Sequence, residues 1–128
     1  MSKPKILVVD DERDVVEFIE QALTAESFEV VKAYDGLSAL DVAETEMPDL
    51  ILLDIMMPMM SGYEVAEQLK ANPQTQEIPI ICLTSAHNVD ALARSRRVGV
   101  TSVIFKPIPP AELVAQLRRH LPKRNEPA

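Results

Sequence analysis

The chain has 128 residues, 47% hydrophobic and 26% charged, a size and composition that fit one globular domain with a buried core. No apolar run is long enough to span a membrane. The opening Met1-Ser2-Lys3-Pro4-Lys5 lacks the apolar stretch of a secretory signal, and the one cysteine, Cys82, excludes an internal disulfide, so the expected location is cytoplasmic. The net charge of −7 argues against direct nucleic-acid binding.

Strand and helix signals alternate five times. Ile6–Val9 is an apolar run without period-2 alternation, as expected of a strand buried on both faces, and Asp10 and Asp11 close it. Val15, Val16, Ile19, Ala22 and Leu23 then follow helical spacing. Phe28–Ala33 is the second strand, and Leu37, Leu40 and Ala43 mark the second helix. Leu50–Leu53 is the third strand, ending on Asp54. In the methionine-rich segment 56–60, Met57 and Met60 are expected to pack locally, in preference to a sticky docking loop. Ser61 and Glu64 form a capping box for a third helix with Val65, Ala66 and Leu69 as its inner face. Ile78–Leu83 is the fourth strand, with Cys82 as buried filler, and Thr84 follows it. A fourth helix around Val89–Val98 has few apolar residues to bury, since Leu92 and Ala93 are followed by Ser95, Arg96 and Arg97. Ser102–Phe105 is the fifth strand, followed by Lys106-Pro107. Leu113, Val114, Leu117 and Leu121 set the last helix, and residues 122–128 read as a tail or the start of a linker. Five βα units with short connections predict a single parallel sheet covered by helices on both faces.

Charge is unevenly spread. The first 64 residues carry 4 basic and 15 acidic side chains, the last 64 carry 9 and 5. The basic groups Arg94, Arg96, Arg97 and Arg118, Arg119, Lys123, Arg124 fit either solvated helix faces and C-termini or a docking face for an acidic partner. His87 reads as a loop residue and His120 as a helix C-terminal one, without metal-ligand spacing between them.

In an open parallel sheet ligands sit at the carboxyl ends of the strands. If the first and third strands are neighbours, Asp10, Asp11 and Asp54 converge there. Three carboxylates together repel one another and raise the pKa of at least one member. Mg²⁺ relieves that conflict, because it favours carboxylate oxygen and keeps several of its own waters. Thr84 and Lys106 fall on the same edge. Each of these residues alone also fits a helix cap or an exposed charge. Together, carboxylates, a hydroxyl and an ammonium are what phosphoryl transfer requires.

The set Asp10-Asp11-Glu12, Asp54 with Met57-Pro58 and Gly62, Thr84-Ser85-Ala86, and Lys106-Pro107 resembles the receiver domain of two-component response regulators. The resemblance covers residues 5–121 and implies a domain at 4–121 with a doubly wound five-stranded sheet of order 2-1-3-4-5 and five helices, the flavodoxin-like arrangement. It implies that Asp54 is the phosphoacceptor, fed by a sensor histidine kinase or a histidine phosphotransfer protein. Asp11, Asp54 and the backbone carbonyl of Met56 would ligate Mg²⁺, with Asp10 acting mainly through a metal-bound water. Thr84 would bond a phosphoryl oxygen, Lys106 would pair with Asp54 and then with the phosphoryl group, and Pro107 would follow a cis peptide. Met56 and Ala86 occupy the positions that tune phosphate loss in such domains. The chain departs from the family in having Val103 where an aromatic is usual and Thr101-Ser102 where an acidic pair is usual. Two other readings are a phosphorylation-independent binding module and an aspartyl-phosphate phosphatase of the haloacid dehalogenase type. The phosphatase needs an Asp two residues after its strand-1 nucleophile, where this chain offers Glu12 or Arg13.

Overall fold

The computed structural model describes residues 3–85 and 89–122, with the backbone alone for 89–91. Ala86 and His87, and the tail beyond Pro122, lie outside the described residues. In chain order the elements are β1 (Lys5–Val9), α1 (Arg13–Ala25), β2 (Glu29–Ala33), α2 (Gly36–Glu46) and β3 (Leu50–Asp54). There follow α3 (Gly62–Ala71), β4 (Ile80–Thr84), α4 (Val89–Arg97), β5 (Ser102–Phe105) and α5 (Pro110–His120). The strands form one sheet of order β2-β1-β3-β4-β5, every pair parallel.

Successive strand residues point to opposite faces of the sheet, and both faces are covered. Leu7, Val9, Ile51, Leu53 and Cys82 pack with Ala39 and Ala43 of α2 and Val65, Ala66 and Leu69 of α3. Ile6, Val8, Leu50, Leu52, Ile81 and Leu83 pack with Val16, Ile19 and Leu23 of α1 and Leu113, Val114 and Leu117 of α5. Every residue of β3 and β4 is buried, which explains their unbroken apolar runs, whereas β2 at the sheet edge is partly exposed. Among the described residues no helix is long and apolar enough to cross a membrane.

The caps follow the sequence closely. Ser61 Oγ accepts the Glu64 N–H at 3.3 Å while Glu64 Oε1 accepts the Ser61 N–H at 3.2 Å. Asp35 caps α2 by accepting the Ser38 N–H at 2.8 Å. The inner face of α4 differs from the expected one. Ala93 is exposed and Leu92 half-buried, while Ser95 is buried. Position 95 lies one helical turn from Leu92, on the same side of the helix, so the phase of the helix selects it over Ala93. Arg94 instead lays its guanidinium over the Tyr63 ring, 4.3 Å from the centroid.

Gly62 opens α3 directly against the end of β3. A Cβ there would sit 2.4 Å from the Asp54 carbonyl oxygen and 2.8 Å from Ile55 Cα. Both are backbone atoms, so neither can swing aside. Gly62→Ala is therefore expected to destabilise the fold by about 2 kcal/mol through overpacking. A denaturant midpoint within error of wild type would contradict that close approach.

Candidate functional site

The sheet order places β1 between β2 and β3, so the chain leaves β1 in one direction and later returns on its other side. The crevice at that reversal is the predicted ligand position. Asp10 and Asp11 follow β1, and Asp54 is the last residue of β3. One carboxylate oxygen from each lies within 4.8 Å of the other two. Asp10 and Asp54 are buried and Asp11 is exposed, so the cluster is a pocket open on one side.

Lys106, just after β5, reaches across the edge. Its Nζ donates to Asp10 Oδ2 at 3.2 Å and stands 3.8 Å from Asp54 Oδ1. The ammonium thus sits nearer to Asp10 than to Asp54, the partner expected from the sequence. Asp10 is also an acceptor for the Glu12 N–H, at 3.0 Å, which fixes the turn into α1. The Met56 N–H donates to Asp54 Oδ1 at 3.4 Å. Thr84 is fully buried at the end of β4, and its carbonyl accepts the Lys106 N–H at 2.8 Å, tying the ends of β4 and β5 together. The Lys106–Pro107 peptide is cis. Asp10, Asp11, Asp54, Thr84 and Lys106 thus lie on one edge of the sheet.

Burial, and after it the charge of Asp10, pushes the Asp54 carboxyl up from its ordinary 3.8 to about 6. Lys106 and the Met56 N–H pull the other way, and Asp11 adds a smaller upward push. A group of carboxylate oxygens whose mutual repulsion is only partly relieved by one ammonium suits a hard divalent cation. Asp10, Asp11 and Asp54 fit such an ion by the chemistry of the donor set.

The raised value has a consequence for stability in the absence of metal. The folded state holds the Asp54 proton more tightly than the unfolded chain, so folding takes up a proton between about 6 and 3.8. The penalty of the buried carboxylate is full above about 6 and gone below 3.8. Asp54→Asn should therefore raise the melting temperature of metal-free protein at alkaline pH, and that gain should shrink as the pH falls through 6. A gain that is flat with pH would show that repulsion at Asp54 is not its source.

Two features escaped the sequence reading. One is the backbone N–H of Met56, invisible to any motif of side chains. The other is Phe18 on α1, an exposed aromatic one position off the buried stripe of Val16, Ile19 and Leu23. It helps line a shallow cleft of about 230 Å³ with Val15, Ile19, Leu83, Pro107 and Ile108, and Lys106 lies along the same cleft.

A family model for the response regulator receiver domain matches residues 6–118. The structure is similar to that of the chemotaxis protein CheY4 of Vibrio cholerae, with a TM-score of 0.90 and 31% identity over 94% of this chain and 100% of that one. In sequence the chain is 40% identical over 114 residues to the response regulator PleD of Caulobacter vibrioides, covering 89% of this chain and 25% of PleD. It is 36% identical over 128 residues to the transcriptional regulatory protein PrrA of Mycobacterium tuberculosis, covering 100% of this chain and 54% of PrrA. The chain spans about half the length, or less, of the curated relatives it matches.

Proposed function

The chain belongs to the response regulator receiver domain family, and from that premise we propose that Asp54 is the phosphoacceptor of a two-component phosphorelay, charged by a partner histidine in the presence of Mg²⁺. The observation that carries this reading is the convergence of three carboxylates within 4.8 Å, with the Lys106 ammonium spanning two of them.

An ionised Asp54 oxygen attacks phosphorus as the P–N bond to the partner's imidazole breaks, its electron pair leaving with the imidazole. Asp10, Asp11, Asp54 and the Met56 carbonyl would hold Mg²⁺, which lowers the repulsion between the carboxylates and an incoming phosphoryl group. Lys106 already stands within 4 Å of both buried carboxylates, so a short swing gives its ammonium a phosphoryl oxygen. Thr84, at the neighbouring strand end, supplies a hydroxyl for a second oxygen. The Met56 N–H keeps the Asp54 carboxylate oriented. The domain is placed at residues 4–121, supported by α5 ending at His120, with 122–128 as tail or linker. The module acts as a signalling switch, and the acidic net charge favours a protein target over nucleic acid for this segment. A partner of this kind places it in the cytoplasm.

The test is incubation with Mg²⁺ and acetyl phosphate, followed by peptide mass mapping of the modified residue. Modification at Asp54 supports the reading, and a phosphoryl group at any other residue overturns it. The exposed Phe18 and its cleft beside Lys106 offer an apolar anchor for the histidine-bearing partner. Phe18→Ala should slow transfer from that partner by roughly tenfold, the usual effect of losing an aromatic anchor. Labelling by acetyl phosphate should stay unchanged. Equal slowing with both donors would place the defect in the site itself and remove α1 as the docking face.

A further inference from the structure

The loop between β3 and α3 is built from two successive three-residue turns. The Met57 N–H donates to the Ile55 carbonyl at 3.2 Å, making Met56 the apex of the first. The Met60 N–H donates to the Pro58 carbonyl at 2.8 Å, making Met59 the apex of the second. Met59 has φ 69°, the rare left-handed form of such a turn and a strained one for a residue with a side chain. The turns sort the four methionines. Met57 and Met60 point inward, one buried and one packed against the core. Met56 and Met59 point out, at 66% and 102% exposure. The outward pair borders what matters chemically: the Met56 N–H contacts the Asp54 carboxylate, and Met59 lies with Leu37, Pro58 and Met60 along a groove of about 570 Å³.

We propose that Met56 and Met59 form a methionine-oxidation site through which hydroperoxides act on the phosphoacceptor. The thioether sulfur gives an electron pair to one peroxide oxygen, an S–O bond forms as the O–O bond breaks, and the departing oxygen takes a proton to leave as water or an alcohol. Sulfur is oxidised and the peroxide reduced. The product replaces a flexible apolar side chain with a polar sulfoxide and can be reduced back enzymatically. At Met56 the sulfoxide sits on the residue whose backbone N–H holds the Asp54 carboxylate, and at Met59 it removes an apolar lining from the groove. The change at Met56 disfavours the approach of an anionic phosphoryl donor, because the oxygen of the S–O group carries partial negative charge. The thiol is not a competing target: Cys82 is fully buried, and burial keeps it inert.

The modification stands on exposure and turn geometry alone, while its effect on signalling rests on the phosphoacceptor reading of Asp54. The experiment treats the full chain with hydrogen peroxide and follows each methionine by peptide mass. Met59 and Met56 should convert ahead of Met47, which is 50% exposed just after α2, and Met57 and Met60 should convert last. Met57 or Met60 converting as fast as Met59 overturns the site. The second readout is the ratio of acetyl phosphate labelling after and before oxidation, taken within each protein so that differences in basal rate cancel. Wild type should slow by about threefold or more, and methionine sulfoxide reductases should restore it. The Met56→Leu/Met59→Leu double variant should keep its ratio near one. A wild-type ratio near one, or an equal fall in the double variant, overturns the coupling. If unoxidised wild type takes no label at Asp54, the phosphoacceptor reading fails, while the order of methionine conversion still decides the modification.

Discussion

An Asp54→Asn protein incubated with Mg²⁺ and acetyl phosphate takes up no phosphoryl group, with labelling below about one hundredth of wild type. The substitution is close to isosteric. Its amide oxygen can still accept the Met56 N–H, so the turn after β3 is kept while the nucleophile is lost. Neither neighbouring carboxylate is placed to replace it. Asp10 is buried, with one oxygen engaged by Lys106 and the other by the Glu12 N–H. Asp11 is exposed and lies outside the end of its strand. Because Asp54 resists ionisation in the folded protein, the amide should stabilise the metal-free fold, so lost labelling cannot be charged to unfolding. Labelling of this variant at the wild-type level would end the assignment of Asp54.

Asp11→Ala should abolish labelling while leaving the fold intact. Asp11 is the informative member of the cluster. It is exposed, and among the described residues it caps no helix and forms no ion pair, so its truncation should cost no more than about 0.5 kcal/mol. What it loses is one of three charges facing the cation position. Mg²⁺ affinity, read by calorimetry because the chain has no Trp, should fall by roughly a hundredfold. Labelling should fall with it, and wild type in excess chelator should behave the same way. Normal labelling of Asp11→Ala, or of wild type in chelator, would show that no divalent cation is needed.

The site was legible in the sequence because its residues stand where secondary structure stops. Ile6–Val9 and Leu50–Leu53 are apolar throughout since both faces of a central strand are covered, and carboxylates ending two such runs on one edge, with a hydroxyl and an ammonium beside them, point to chemistry where each alone would also fit a cap. The capping box at Ser61 and Glu64 was legible for the same local reason. What could not be read is set by tertiary geometry. Lys106 is equally placed in sequence to meet Asp10 or Asp54, and the distances alone separate 3.2 from 3.8 Å. The burial of Ser95 in place of Ala93 depends on the phase of α4 against the sheet. The outward turn of Met56 and Met59 arises from two tight turns, one of them in a left-handed conformation that a methionine gives no hint of adopting.

The strand order turns a difference along the chain into a difference across space. The acid-rich first half builds β2, β1 and β3, and the second half, where basic residues predominate, builds β4 and β5, so no strand of one half lies between two of the other. The domain is thereby electrically polar, with its moment running across the strands from the β2 edge to the β5 edge. Asp54 ends the last strand of the acidic half, and Lys106 reaches it from the basic one. A charged partner meets a surface that turns the domain before contact, and Asp54 lies at the seam between the two halves.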